Sequence, residues 1–385
     1  MRRVAATLLI WGSLFACAEL EAAEALPPFS DANAVAGVTG EEQRIWSEAR
    51  EAAEAIARSD QIYGDPQLTA YLQGIVDRLF PEFKGRMAVA LLKGPQFNAF
   101  VLPDGHVYVN VGLLARFEDE AQLATVLAHE GVHFTHRHGY RERKSIKSAT
   151  AFSLVVDMVG IPLVGPVIAL SSIFGYSREL ETEADNVGFQ RLVAAGYDSR
   201  EAPRTFEHLL EQVESDDVKE PFFFATHPKL QDRVDNMRRL STHNAGGTDG
   251  AARDPYAARV REARLRNIEN ALSMGRAKSV ITMLTDPEYF RELPPQSHYY
   301  LGEAYRLRGE AGDPELAEQA YVAAISAAPE FAPSYRALGL ASMKAGHRVE
   351  AREYLSQYLQ LAPAAPDRKY IEGYLKLIQN QGEQP

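Results

Sequence analysis

Two histidines and a glutamate lie close together in residues 127–133, which read Leu-Ala-His-Glu-Gly-Val-His. On an α-helix, His129 and His133 are one turn apart and project from the same face, so both imidazoles can reach one zinc ion. Glu130 follows the first histidine and lies where a base could hold an activated water. We therefore predict a hydrolytic site on this helix, with one Zn²⁺ per chain.

Residues 177–185 (Ser-Arg-Glu-Leu-Glu-Thr-Glu-Ala-Asp) offer the carboxylate that a two-histidine site lacks. A catalytic zinc has three protein ligands and keeps one position open for water or substrate. Glu181 and Asp185 share one helix face, so we predict Glu181 as the third ligand and Asp185 as the acceptor of a ligand histidine's second ring N–H. Glu183 points away and is not predicted to bind the metal. Without the histidine pair, this helix would be interpreted as an ordinary acidic surface.

Three of the eight histidines outside the predicted ligand set are candidates for a role at the site. His136 and His138 are interpreted as surface groups or as groups that support the ligands, because one straight helix cannot surround a tetrahedral ion. His227 follows three phenylalanines in a predicted loop. It could occupy the open position on zinc or stabilise the oxyanion of a tetrahedral intermediate. A plain surface histidine is the alternative.

Capping residues and periodicity predict the elements that position these groups. Residues 39–42 (Thr-Gly-Glu-Glu) have the form of a capping box at the start of a long alanine-rich helix, and Asp65, followed by proline, starts a second helix. Asp119 predicts the start of the motif helix, and Gly139 predicts its end.

Three strands are predicted between these helices, at residues 87–92, 98–102 and 106–111. In the third, valines alternate with polar or aromatic residues, which indicates a sheet with one buried face. An edge strand beside a peptidase site can pair with an extended substrate. An ordinary core hairpin is the alternative.

The chain has 385 residues, 46% of them hydrophobic, so it can bury a full core and is expected to hold two domains. Its formal net charge is −11 and it has no basic run, which argues against nucleic acid as a partner.

Residues 1–25 have the form of an export signal, with two arginines, an apolar run from residue 4 to residue 16, and small residues before a cleavage point after Ala25. The apolar run is too short for a comfortable bilayer span. Cys17, the only cysteine, lies where a lipoprotein processing site would place it, but the bulky Phe15 departs from that pattern. Lipidation is therefore the less favoured alternative to soluble export. Cleavage would leave no thiol, and the metal site must then use histidine and carboxylate.

Residues 149–174 contain few polar side chains, but Asp157 and two prolines interrupt them. Burying these residues in a bilayer would be costly, so a transmembrane span is not favoured. We predict two short apolar helices that pack over the site and gate the cleft or make a peripheral membrane contact. Plain core is the alternative.

A repeat begins after residues 241–254, which are rich in Gly, Ala, Asn and Asp and are predicted to form a linker. Ala317, Tyr321 and Pro329 correspond to Ala351, Leu355 and Pro363, a shift of 34 residues. Leu301-Gly302 recurs 37 residues later, so a three-residue insertion is predicted within residues 309–313. Residues 255–385 resemble tetratricopeptide repeats, which are helical hairpins that stack into a concave binding surface.

Residues 40–240 resemble the zinc metallopeptidases related to HtpX and the CAAX prenyl endopeptidases. The matching pieces run in order through this region: Asn98-Ala99-Phe100 with Gly105, Gly112-Leu113-Leu114, the His129 to His133 motif extended to His138, Ser177-Arg178 with Glu181 to Asp185, and Thr226-His227-Pro228 with Arg233.

The resemblance implies that His129, His133 and Glu181 bind zinc, that Glu130 is the general base, and that Asp185 is an auxiliary acid that donates a proton. For the periplasmic branch of this family, it implies a regulatory fourth ligand at His227. It also implies peptide substrates, and as partners unfolded or misassembled outer-membrane proteins and the barrel-assembly machinery.

The expected fold class is mainly α. A gluzincin-type metallopeptidase domain with a small β-sheet (residues 26–240) follows the signal peptide (1–25), and an α-solenoid of repeats (255–385) follows the linker (241–254). We predict a periplasmic metalloendopeptidase, peripheral to the outer membrane, that degrades misfolded precursors and has chaperone-like activity. The alternative is an assembly chaperone or scaffold that acts through its repeats while the site stays latent.

Overall fold

The computed structural model describes residues 26–145, 176–215, 230–243, 253–291 and 293–382. These residues are mostly helical, with one three-stranded sheet, in agreement with the predicted class. Within these ranges, none of the helices combines the length and apolar character needed to cross a membrane.

The elements in chain order are α1 (Ala32–Ala36), α2 (Gly40–Arg58), α3 (Pro66–Leu79), β1 (Ala88–Leu92), β2 (Ala99–Val101), β3 (His106–Asn110), α4 (Val111–Arg116), α5 (Glu120–Thr135), α6 (His138–Ser145), α7 (Arg178–Ala194), α8 (Glu201–Ser215), α9 (Leu230–His243), α10 (Arg253–Ser273), α11 (Ala277–Thr285), α12 (Pro287–Arg291), α13 (Ser297–Arg308), α14 (Asp313–Ala327), α15 (Ala332–Ala345), α16 (Arg348–Leu361) and α17 (Arg368–Gly382).

The two long helices before the sheet begin where the sequence predicts. Asp65 caps α3 by accepting a hydrogen bond from the Leu68 backbone N–H at 2.9 Å. The capping box predicted for α2 is wrong, because the Thr39 side chain makes no cap hydrogen bond. Glu42, its expected partner, is buried and accepts a hydrogen bond from Arg137 Nε at 2.9 Å. A buried carboxylate is stabilised by a charged partner, and this requirement outweighs the local cap.

The three predicted strands are present and form one sheet in the order β1-β3-β2. β1 runs parallel to β3, and β2 pairs antiparallel with β3. Among the described strands, β2 therefore lies at one edge of the sheet, and it packs beside α5.

Both faces of this sheet are buried, so the prediction of a single buried face is wrong. Val107 and Val109 enter the main core, but Tyr108 and Asn110 on the opposite face are only 2% and 4% exposed. The second face is covered by side chains of α2. This second cluster contains Ala49, Ala52, Ala53, Ile56, Leu92, Phe100, Leu102 and Tyr108.

The motif helix α5 is buried along its whole length. Its predicted start is confirmed, because Asp119 Oδ1 accepts a hydrogen bond from Gln122 N at 2.9 Å. The predicted end at Gly139 is wrong: α5 ends at Thr135, and Arg137 adopts a left-handed φ of 60°. The Arg137 side chain pairs with Glu42, which stabilises a backbone conformation that usually favours glycine.

Helix α10 belongs to the same core as the motif helix. Tyr256, Val260 and Ala263 are fully buried in the main hydrophobic cluster, and the Tyr256 hydroxyl donates to Leu114 O at 2.9 Å. Helix α9 continues through His243, into the region predicted as a linker. The domain boundaries themselves stay a prediction.

The later helices form pairs that repeat one contact. Gly302 of α13 faces the Tyr321 ring of α14, where an added Cβ would lie 2.4 Å from a ring carbon. Gly339 of α15 faces Leu355 of α16, with the same clash at 2.7 Å. In each pair, a glycine lets a large side chain of the second helix pack against the backbone of the first. The residue separations of these contacts differ by three, in agreement with the predicted insertion.

Several predictions concern residues outside the described ranges. These are the export signal, Cys17, the apolar segment 149–174 and His227. They remain sequence predictions.

Candidate metal centre

The site lies where α5 crosses α7. Gly188 of α7 lies against the backbone of α5, and an added Cβ would be 3.1 Å from His129 N and 3.2 Å from its Cα. A glycine therefore allows the two helices to approach this closely. The close crossing brings the carboxylates of α7 within reach of the histidines of α5.

Three of the predicted residues converge at this crossing. His129 Nε2 and His133 Nε2 are 3.0 Å apart, and each lies 3.5 Å from a carboxylate oxygen of Glu181. All three side chains are buried, and one donor atom from each lies within 4.8 Å of the others. Two imidazole nitrogens and one carboxylate oxygen are a donor set of catalytic zinc sites, so these residues fit the predicted metal.

Asp185 lies behind His129, where the sequence predicts it. Its Oδ1 is 2.9 Å from His129 Nδ1, the ring nitrogen that does not face His133. A carboxylate in this position holds the proton on Nδ1 and leaves Nε2 with a lone pair for a metal.

Burial and charge set the ionisation of this pair. Burial, reinforced by the positive charge of Arg233, lowers the pKa of His129 to about 4. Burial raises the pKa of Asp185, but Arg233 and His129 outweigh this effect and lower it to about 2. Near neutral pH the imidazole is therefore neutral and the carboxylate ionised, as ligation and tautomer control require.

Arg233 of α9 is a site residue to which the sequence reasoning assigned no role. It is 4% exposed, and its Nη2 donates to Asp185 Oδ1 at 2.6 Å while its Nη1 lies 3.6 Å from Glu181. The guanidinium also lies over the Phe206 ring, at 4.4 Å from the centroid. One sequence signal could have found it: Arg233 shares the apolar face of α9 with Met237, where an unpaired arginine would be costly.

Glu130 and Tyr176 are two further buried residues at the site. Glu130 is 1% exposed and follows the first histidine on α5. The Tyr176 ring stacks on His133 with centroids 3.8 Å apart and an interplanar angle of 11°. Burial, with the nearby charges of Glu130 and Glu181, raises the pKa of Tyr176, so the phenol stays protonated. No signal in the sequence indicated this stacking.

The two histidines after the motif differ in their environment. His136 is half-buried, and its Nδ1 lies 3.1 Å from the Thr135 hydroxyl. His138 is fully buried, so it is not a surface group, and its Nδ1 lies 2.9 Å from His133 Nδ1. Of the two roles predicted for His138, support of a ligand is therefore the one that fits. His227 lies outside the described residues.

Residues 65–241 match the sequence model of peptidase family M48. This segment contains the helix crossing and all three converging side chains. The chain therefore carries a peptidase M48 domain, and the family predicted from the motifs is confirmed.

Individual relatives are similar over part of the chain. A beta-barrel assembly-enhancing protease of Escherichia coli (strain K12) is 26% identical over 219 residues, which cover 53% of this chain and 45% of that protein. The mitochondrial metalloendopeptidase OMA1 of Arabidopsis thaliana is 38% identical over 122 residues, 31% of this chain and 25% of that protein. OMA1 of Schizosaccharomyces pombe is 30% identical over 202 residues, 49% of this chain and 59% of that protein. The chain thus spans less than two thirds of each of these relatives.

Proposed function

We propose that this protein is a zinc metalloendopeptidase in which His129, His133 and Glu181 hold one zinc ion. The observation that carries the proposal is the convergence of these three buried donors within 4.8 Å, inside a segment that belongs to family M48. The names of the similar proteins, a protease and two metalloendopeptidases, support the same activity.

Zinc, when bound, would supply a Lewis acid that polarises the scissile carbonyl and lowers the pKa of a water to about 7. Glu130 would serve as the general base, with its carboxylate taking a proton from water and delivering it to the leaving amine. Asp185 orients His129 through Nδ1, and its ion pair with Arg233 keeps it ionised. This pairing supports an orienting role for Asp185 over the proton-donor role that the family resemblance implies.

The substrate is proposed to be an extended polypeptide that pairs with strand β2. The three residues of this strand are buried, so its edge would have to be uncovered before a peptide could bind. β2 bonds to β3 through Asn98 and Leu102, at 3.0 and 2.8 Å. In an antiparallel pair, the intervening residues Ala99 and Val101 direct their N–H and C=O groups away from the partner strand. Because β2 packs beside α5, a peptide paired with this edge would lie next to the motif helix. Backbone pairing gives affinity with little sequence selectivity, which suits misfolded chains.

The biological role is proposed to be quality control of outer-membrane proteins in the periplasm. The name of the Escherichia coli relative and the predicted export signal support this role. Unfolded outer-membrane proteins and the barrel-assembly machinery are the proposed partners, with His227 as a regulatory fourth ligand that holds the site latent.

A second candidate function is binding by the C-terminal helices, which we propose to be tetratricopeptide repeats. Among the described residues, the large hydrophobic side chains that are exposed all lie after residue 273, so the apolar groups available to another chain belong to this region. They are Met274, Leu307, Leu316, Val322, Val349, Tyr370 and Leu377. A chaperone that binds precursors through these side chains could work with or without proteolysis.

The substitution Glu130→Gln tests the enzyme proposal. It removes the base without altering the metal ligands, so zinc content by elemental analysis should match that of the wild type while hydrolysis of an unfolded outer-membrane protein falls by at least about 100-fold. His133→Ala is the matched variant that should lose both zinc and activity. Hydrolysis by the Glu130→Gln variant at the wild-type rate would remove Glu130 from its role. Retention of outer-membrane integrity in cells carrying the inactive variant would favour the binding function.

A further inference from the structure

His138 is a buried histidine that the mechanism above does not use, although its ring touches a proposed zinc ligand. Its Nδ1 lies 2.9 Å from His133 Nδ1, and its side chain is 0% exposed. We propose that His138 is a positioning residue that fixes His133 in the tautomer able to bind zinc. This inference rests on the proposed function, because it requires His133 to be a ligand.

The contact between the two rings has a defined polarity. A neutral imidazole has one N–H donor and one acceptor nitrogen, so two nitrogens 2.9 Å apart must be one donor and one acceptor. His133 Nε2 faces His129 and Glu181, at 3.0 and 3.5 Å, and must present a lone pair there to bind a metal. The proton of His133 is therefore on Nδ1, and His133 donates to His138.

The far side of His138 supports the same polarity. Its Nε2 lies 3.5 Å from Glu183 Oε2, and Glu183 accepts a hydrogen bond from Arg141 Nη1 at 2.8 Å. A carboxylate near Nε2 favours the tautomer with the proton on that nitrogen, which leaves Nδ1 of His138 as an acceptor. Glu183, which the sequence sets aside as a non-ligand, thus acts on the site through one intervening ring.

The two proposed ligand histidines donate their second ring N–H to different kinds of acceptor. His129 donates to the carboxylate of Asp185, at 2.9 Å, whereas His133 donates to a neutral ring. A ring acceptor places no further negative charge beside the metal, where Glu130 and Glu181 already contribute carboxylates. His138 therefore fixes the orientation of a ligand without adding charge.

The end of the motif helix places His138 against His133. On a continued α-helix, residue 138 would lie about 140° around the axis from residue 133 and would point away from it. The helix stops at Thr135, and the left-handed turn at Arg137 starts α6 in a new direction. Arg137 is fixed by Glu42 and lies over the Phe29 ring, at 4.7 Å. The strained turn thus has a function, since it returns a histidine to the site.

Zinc affinity of the full chain, measured by competition with a chromophoric chelator, tests the proposal. Asn is nearly isosteric with Leu, but its Oδ1 can accept the His133 N–H. Loss of a partner that orients a metal ligand should weaken zinc binding by about 10- to 100-fold in His138→Leu, and His138→Asn should stay within about threefold of the wild type. His136→Leu, on the same turn but without contact to a ligand, is the control and should bind as the wild type does. Cobalt substitution gives a second readout, because a misoriented His133 should change the visible absorption spectrum.

The outcomes separate this inference from the proposed function. If the wild type fails to bind zinc, both fall. If the wild type binds zinc and His138→Leu binds it equally well, or if His138→Asn is as weak as His138→Leu, the positioning role alone is refuted. Folding of each variant is checked by circular dichroism. Should His138→Leu not fold, His138→Ala, which also lacks an acceptor, takes its place in the comparison.

Discussion

Removal of α10 should unfold the metallopeptidase domain, although the family match ends at residue 241. Two truncations of the chain isolate this effect. A chain that ends after His243 lacks α10 and every later helix. A chain that ends after Gly275 keeps α10 and lacks only the helices that follow. We expect the first chain to be unfolded and the second to fold and bind zinc.

The size of the effect follows from what α10 covers. Tyr256 and Val260 are fully buried, and the helix supplies hydrogen bonds from Tyr256 to Leu114 O and from Arg264 to Phe117 O, each at 2.9 Å. Burial stabilises by about 2 to 3 kcal/mol for each of the two side chains, and the two hydrogen bonds add about 1 kcal/mol each. The core surface beneath them loses a similar amount of burial, so the total is roughly 10 kcal/mol, comparable with the whole stability of a domain.

Urea unfolding followed by circular dichroism measures the outcome. In the full chain, Tyr256→Ala should lower the free energy of unfolding by about 3 to 5 kcal/mol, as other buried aromatic truncations do. Tyr370→Ala, at a residue that is 75% exposed, should change it by less than about 0.5 kcal/mol. A chain ending at His243 that unfolds cooperatively and binds zinc as tightly as the full chain would refute the assignment of α10 to this core.

Two further predictions concern the helix crossing and its ion pair. Gly188→Ala should lower the free energy of unfolding by about 1 to 3 kcal/mol and weaken zinc binding, because the new Cβ meets backbone at 3.1 Å. Gly74→Ala on α3, where nothing lies within 4 Å of an added Cβ, should change neither property. Equal stability of these two variants would contradict the tight crossing. The pKa of Asp185 falls from 3.8 to about 2 on folding, so its ionised form stabilises the zinc-free protein above about pH 4, and about 2 kcal/mol of this is lost as the pH falls towards 2. Asp185→Asn should flatten that part of the pH profile of unfolding free energy, and an unchanged slope would argue against the ion pair.

The sequence predicted the parts of this protein that depend on local rules. Helical periodicity places His129 and His133 on one face, and Asp65 and Asp119 cap helices because their side chains reach backbone N–H groups three residues later. Alternation and turn residues located the strands. Each of these features depends on residues that are near in the chain, so a single sequence contains the information.

The features that the sequence missed depend on contacts between distant residues. Glu42 could form a local cap, but burial against Arg137 decides its partner instead. The polar face of β3 is covered because α2 folds over it, which no property of the strand itself indicates. Arg233 lies on α9, about 100 residues after the histidine motif, and reaches the site only because α9 packs against α7. In each case, tertiary packing determines the role of a residue whose local pattern favours another.

The contact between Glu42 and Arg137 affects how natural variation in this chain should be interpreted. This carboxylate lies outside the segment that matches family M48, in a helix that would pass as scaffold, yet it fixes the turn that returns His138 to His133. A variant at position 42 would therefore be expected to show a defect in metal loading, although a survey restricted to the motif would class it as remote and harmless.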